Sequence, residues 1–488
     1  MMTPRPSLRF LTATAGASLI LASCAVGPKA PDAALPPSAS GAFIGAVTPA
    51  VSAEAARDDW WRLYQDPALD ALVAEALANN NDLEAAAANL RRVRAALGEA
   101  RTARLPGTTT SAAYSTGRPS AATIPGLPPG TEAPETDTYD VGLDVAYEVD
   151  LFGRVGSVIR AARADADAAA AALDVVRVSV AAETARAYAD ACSANARLDV
   201  AQRTVDLQTR TMELTRTLLD AGSGNGLDVA RARSALETTR ASLPPLRAER
   251  DGALFRLATL TGRTPAESSE AARSCARPPQ LTQPVPIGDG ARLLARRPDV
   301  RRAERELAAA TARVNVATAD LFPRITLGGG LGATALDAGG LGDSENFRFS
   351  VGPLISWSFP NVFAARARIE QADAASEAAL ARFDQTVLVA LQETETALAN
   401  YANELDRRAA LQAARDEAAT AARLSRLRFD AGADSFLTVL DAERTLAAAD
   451  AQLAASDALV TTYQISLFKA LAGGWGQVSG PEAGPEAT

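Results

Sequence analysis

The 488-residue sequence has no histidine and only three cysteines, Cys24, Cys192 and Cys275. A Ser-His-Asp triad, a Cys-His pair and the common His- or Cys-rich zinc sites are therefore excluded. Aromatic residues are scarce, at 5%. No stretch supplies about 18 consecutive strongly apolar residues, so a membrane-spanning helix is excluded too. Excess positive charge is also lacking. Forty-nine Lys plus Arg against 58 Asp plus Glu give a formal net charge of −9, which argues against a dominant nucleic-acid groove. Hydrophobic residues at 48% and charged residues at 22% still give a composition that folds. No acids converge at a recognisable catalytic spacing, so no enzyme, cofactor or metal site is expected.

What is present begins with a processing signal. Arg5 and Arg9 precede a mostly apolar stretch over residues 11–22, followed by Leu21-Ala22-Ser23-Cys24. This order predicts a lipoprotein signal peptide over 1–23, with acylation, including palmitate, on Cys24. Cleavage would remove both arginines and take the net charge from −9 to −11. Ala25, standing where an inner-membrane retention signal has Asp, favours outer-membrane delivery. A lipidated extension then runs over 24–66, Pro-, Ala- and Gly-rich to about residue 50.

Residues 67–104 read as helix, with Leu69, Leu72, Leu83, Leu90, Val93 and Leu97 among alanines and Pro106 closing it. Residues 139–149 alternate strictly: Tyr139, Val141, Leu143, Val145, Tyr147 and Val149 share one face, and Asp140, Gly142, Asp144, Ala146 and Glu148 the other. The pattern returns over 347–359, with Leu354 out of phase. Weaker partners precede each strand, at 108–118 and 322–333, so two hairpins are expected at about 108–150 and 322–359. Each is followed by a long alanine-rich helix without internal proline, 154–219 and 363–429. The first would extend about 99 Å.

Each long helix ends at a glycine, Gly222 and Gly432, and reverses into a return helix. Residues 67–262 and 291–472 thus repeat the order helix, hairpin, long helix, return helix, joined by a linker at 263–290 and followed by a tail at 473–488. Pro244-Pro245 predicts a break in the first return helix. The small alanine side chains suit close, coiled-coil-like helix packing.

Ten-residue strands with one apolar and one polar face suit a barrel between lipid and water. Four strands cannot close it. Two chains would supply eight strands and three would supply twelve, so association is expected from the open edges alone. A soluble sandwich and a non-conducting, lipid-anchored envelope scaffold are the alternatives.

Several motifs then carry a resemblance. They are Cys24-Ala25-Val26-Gly27-Pro28, Trp60-Trp61, Asp66-Pro67-Ala68-Leu69, Asp150-Leu151-Phe152-Gly153-Arg154, and Leu294-Ala295-Arg296-Arg297-Pro298-Asp299-Val300-Arg301-Arg302-Ala303-Glu304 with Ala319-Asp320-Leu321-Phe322-Pro323-Arg324-Ile325. From about Asp59 to Trp475 the chain resembles the outer-membrane efflux lipoproteins of the TolC-like outer membrane factor family. Its second crossover, Phe359-Pro360-Asn361-Val362-Phe363, and its glycine segment at 222–226 are looser than the family pattern.

The resemblance implies a mixed α/β membrane protein: a homotrimer whose four strands per chain complete a 12-stranded outer-membrane barrel, continuous with a long periplasmic α-helical barrel. It implies passive small-molecule export from a periplasmic adaptor and an inner-membrane transporter, across the periplasm and outer membrane. A protein-secretion duct is the nearest alternative. It places the turns at Gly222 and Gly432 at the periplasmic tip and Asp434 at the aperture, with Arg423, Arg426 and Arg428 as tethers. Asp434 as a helix cap is the other reading of that position. Arg296, Arg297, Pro298, Asp299 and Glu304 are expected to serve structural pairing. Whether Cys192 pairs with Cys275 is open at this stage.

Overall fold

A computed structural model describes residues 27–28, 35, 39–46, 48–128, 130–357 and 362–472. Cys24 and the signal segment, most of the second crossover and the 473–488 tail lie outside the described residues. The chain divides into two compact units, one formed by 1–33, 91–168 and 303–383 and the other by 34–90, 169–302 and 384–488.

The first unit holds a four-stranded antiparallel sheet. Its strands are β1 (Gly107–Gly117), β2 (Thr136–Val149), β3 (Arg324–Ala335) and β4 (Phe347–Ser356), in the spatial order β1-β2-β3-β4. The two expected hairpins are therefore joined edge to edge, β2 against β3, with Leu143 opposite Leu331 and Tyr147 opposite Leu327. β1 and β4 are left as the two edges. Pro353, which cannot donate to a ladder, is accommodated on edge strand β4. β4 ends at Ser356, before the expected limit of 359.

The helices, in chain order, are α1 (Pro67–Asn79), α2 (Asn81–Thr102), α3 (Arg154–Asp220), α4 (Gly226–Arg240), α5 (Leu243–Leu260), α6 (Glu270–Ser274), α7 (Gly290–Arg296), α8 (Pro298–Ala319), α9 (Val362–Asp430) and α10 (Phe436–Ala470). The helix expected over 67–104 is two helices. Asn80 ends the first in extended backbone, and its Oδ1 caps the second by accepting from the N–H groups of Asp82 at 3.0 Å and Leu83 at 3.2 Å. Its Nδ2 donates to the Leu260 carbonyl at 3.0 Å, so the break is anchored to α5. The return helix also breaks, α5 restarting at Leu243 with Pro244 in its first turn, where the missing N–H is harmless.

In the second unit the extension before α1 folds into the core. Trp60 is fully buried and stacks on Phe468, ring centroids 4.8 Å apart. Asp66 Oδ1 accepts from the N–H groups of Ala68 and Leu69, while its Oδ2 accepts from the Tyr188 hydroxyl at 2.8 Å. Burial and the hydrogen bond to Asp66 raise the Tyr188 pKa above that of an ordinary phenol. Alanines of α3, including Ala181, Ala185 and Ala189, complete this core, which the small side chains keep close-packed. Cys192 of α3 and Cys275 form a disulfide, settling the question that their spacing left open.

Candidate functional site

The sheet has two chemically distinct faces. Pairing in register puts Val141, Leu143, Val145 and Tyr147 of β2 on one face with Ile325, Leu327 and Leu331 of β3 and Phe349, Val351 and Ile355 of β4. In the isolated chain Phe349 is 75% exposed, Val351 85% and Ile355 66%, an apolar patch of the kind that monomeric soluble proteins avoid. The opposite face carries Asp140, Gly142, Asp144 and Glu148 of β2, Gly328, Gly330, Gly332 and Thr334 of β3, and Arg348 and Ser350 of β4. Period-two patterning made both faces legible; the pairing of one hairpin with the other needed the structure.

Between β2 and α3, the segment Asp150-Leu151-Phe152-Gly153-Arg154 turns strand into helix. Asp150 accepts from the N–H groups of Val155 at 2.8 Å and Gly156 at 2.7 Å, using two donors that a helix start leaves unpaired. Arg154 pairs with Glu148, and Phe152 stacks on Phe322 at 4.7 Å. The motif therefore caps and orients the strand-to-helix turn.

The charge run opening α8 is a structural hub. Arg297, almost buried, donates to both carboxylate oxygens of Asp299 at 2.9 and 2.7 Å, to Glu393 of α9 at 2.7 Å and to the Ala470 carbonyl of α10 at 3.0 Å. Arg296 pairs with Asp58 and the Ala56 carbonyl. Pro298 is the first residue of α8, and Glu304 lies 3.7 Å from its neighbour Arg305.

The two glycine turns share one geometry. Gly222 and Gly432 have φ of +75° and +73°, a left-handed conformation that L side chains rarely adopt. The N–H of Ser223 returns to the Leu218 carbonyl at 3.0 Å and that of Ala433 to the Arg428 carbonyl at 2.8 Å, satisfying late acceptors of α3 and α9. Asp434 is held by Arg428 of its own chain in a two-pronged pair at 2.8 and 3.1 Å, which raises the Arg428 pKa. It is not the N-cap of α10; that position is Ser435. Arg426 lies 3.5 Å from Asp430 and 3.7 Å from Glu443, and the exposed Arg423 has no pair with Asp434.

Glu443 is a residue that sequence reasoning passed over. It is buried on α10, accepts from Thr211 Oγ1 of α3 at 3.0 Å, and lies beside a core of Phe436, Leu440, Ala232 and Ala235. Burial raises its pKa above the usual carboxylate range. Nothing in the local pattern distinguishes it from the surface acids of α10.

The two-faced sheet, the capped crossover and the paired glycine turns define an outer-membrane channel subunit. The chain belongs to the outer membrane efflux protein family, whose model matches residues 72–263 and 291–473. It is the outer-membrane exit channel of a tripartite efflux pump. It is similar to the outer membrane protein OprJ of Pseudomonas aeruginosa, 30% identical over 464 residues and 94% of each chain. To the pyoverdine export outer membrane protein OpmQ of the same organism it is 32% identical over 428 residues, 85% of this chain and 87% of that one. Among solved structures, the outer-membrane channel OprN matches with TM-score 0.86 and 38% identity over 93% of this chain and 100% of that one. The open-state MtrE outer membrane channel of Neisseria gonorrhoeae matches with TM-score 0.79 and 27% identity over 93% and 99%.

Proposed function

We propose that three copies of this chain close a 12-stranded barrel, its apolar face in the lipid of the outer membrane and its polar face around an aqueous duct. The single observation that carries this reading is the sheet, which combines an exposed apolar face with two unpaired edges, β1 and β4. Pairing each β4 edge with the β1 edge of the next copy removes every edge, and a head-to-tail contact of this kind closes as a ring. The duct takes small molecules from an inner-membrane transporter through a periplasmic adaptor and makes or breaks no bond. Which molecules it carries is set by those partners.

Acylation at Cys24 adds an anchor to the membrane that the barrel spans. Gly27, three residues along, sits so close to α8 that a Cβ there would lie 2.0 Å from Asn315 Oδ1. Three residues reach no more than about 11 Å, so the tether from a lipid on Cys24 to the unit holding the sheet is short. At the periplasmic tip, the Arg428–Asp434 pair fastens the second glycine turn of each chain. Mass measurement of the detergent-extracted protein tests the assembly: a trimer of chains beginning at an acylated Cys24 is expected, and an unacylated monomer would overturn it.

A further inference from the structure

The polar face of the sheet is nearly charge-balanced, and the imbalance has one address. β3 presents a trough of glycines there, across which charged side chains of the neighbouring strands lie flat. A Cβ at Gly332 would stand 3.4 Å from Arg348 Cζ and one at Gly142 3.5 Å from Arg348 Nη2. Arg348 of β4 thereby crosses β3 to reach Asp140 of β2, its Nη2 donating to both carboxylate oxygens at 3.0 and 2.9 Å. Thr334 completes the site by donating to Asp140 at 2.7 Å. Eight residues along β2, Glu148 is neutralised by Arg154. Asp144 lies between these two pairs, opposite Thr109 and Gly330. Its carboxylate rests over the second gap in the trough: a Cβ at Gly330 would lie 2.6 Å from Asp144 Oδ1. Among the described residues no Lys or Arg pairs with it.

We infer that Asp144 sets the ion preference of the barrel, favouring cations over anions. The inference rests on the trimeric-barrel reading, in which three copies of Asp144 form one uncompensated carboxylate ring at a single level of the lumen. Rings of Asp or Glu select for cations, and low-dielectric walls focus their field into the duct. Around Asp144 the cross-strand positions carry only Gly330, Thr109 and, one strand further, Ser350, none of which supplies a compensating charge. Asp140 supplies the contrast on the same face, since Arg348 cancels it.

The test is the reversal potential of trimers in a planar bilayer across a tenfold KCl gradient. Asp144→Asn, which keeps shape and removes charge, is expected to lower the potassium-to-chloride permeability ratio at least twofold. Arg348→Ala, which releases Asp140, is expected to raise it. Trimers of Asp144→Asn that conduct with the wild-type reversal potential would overturn the assignment and leave the channel reading standing. A protein that forms no pore in any variant would overturn both.

Discussion

At the residue scale, the charged groups that look reactive in the sequence serve as fasteners. Arg297 has five donors in a rigid fork and engages four acceptors on three segments, which a lysine ammonium cannot reproduce. Arg297→Ala is expected to destabilise the protein by about 2–4 kcal/mol, less than a fully buried pair because Glu393 stays half-exposed. Arg297→Lys should recover only part of that, as denaturant titration of the purified protein will read. Glu443 makes a prediction of the opposite sign. Because burial raises its folded pKa, the folded state holds its proton longer than the unfolded one. Stability contributed by this group is therefore present at acid pH and lost as pH rises from the ordinary carboxylate range through the raised value. Glu443→Gln keeps an acceptor for Thr211 and should flatten that slope, so the variant gains stability relative to wild type near neutral pH. Hydrogen exchange of α10 as a function of pH measures it; equal slopes in the two proteins would contradict it.

At the scale of elements, period and punctuation in the sequence account for much of what is seen. Strict alternation over 139–149 falls within β2, and the two proline-free alanine runs fall within α3 and α9. What was not legible is non-local. A strand's partner 176 to 196 residues away, as between β2 and β3, leaves no trace in either strand alone. The break at Asn80 is masked by hydrophobic spacing that continues through it, although Asn79-Asn80-Asn81 is itself a turn signal. Burial of Glu443 depends on which face of α10 meets α3, and that is decided by tertiary packing. The disulfide between Cys192 and Cys275, 83 residues apart, closes a loop containing the whole first glycine turn. The second turn has no such link; Arg408–Asp457 and Arg415–Asp450 pairs join its helices instead. Replacing both cysteines by serine should cost up to about 4–5 kcal/mol and increase exchange in α4 and α5 more than in α9. At the second turn, Asp434→Ala releases Arg428 and should raise single-channel conductance; unchanged conductance would remove this pair from any account of gating.

At the scale of the whole molecule, what the single chain leaves unsatisfied says what the assembly must supply. Apolar side chains on one face of the sheet are left exposed in the isolated chain, and the two edge strands present unpaired backbone groups. In water this arrangement would drive aggregation; in a bilayer only a closed barrel resolves it. The helices offer no competing route through the membrane, since among the described residues none is long and apolar enough to cross one. An exit duct asks little chemistry of its residues, which fits a sequence without histidine whose motifs cap, turn and pair. The central claim is therefore that the assembled chain is a pore. Single-channel recording of the purified, signal-cleaved protein in a planar bilayer, with stoichiometry determined on the same sample, tests it most directly. Discrete openings from a trimer are the predicted result, and a monomer that neither inserts nor conducts would contradict it.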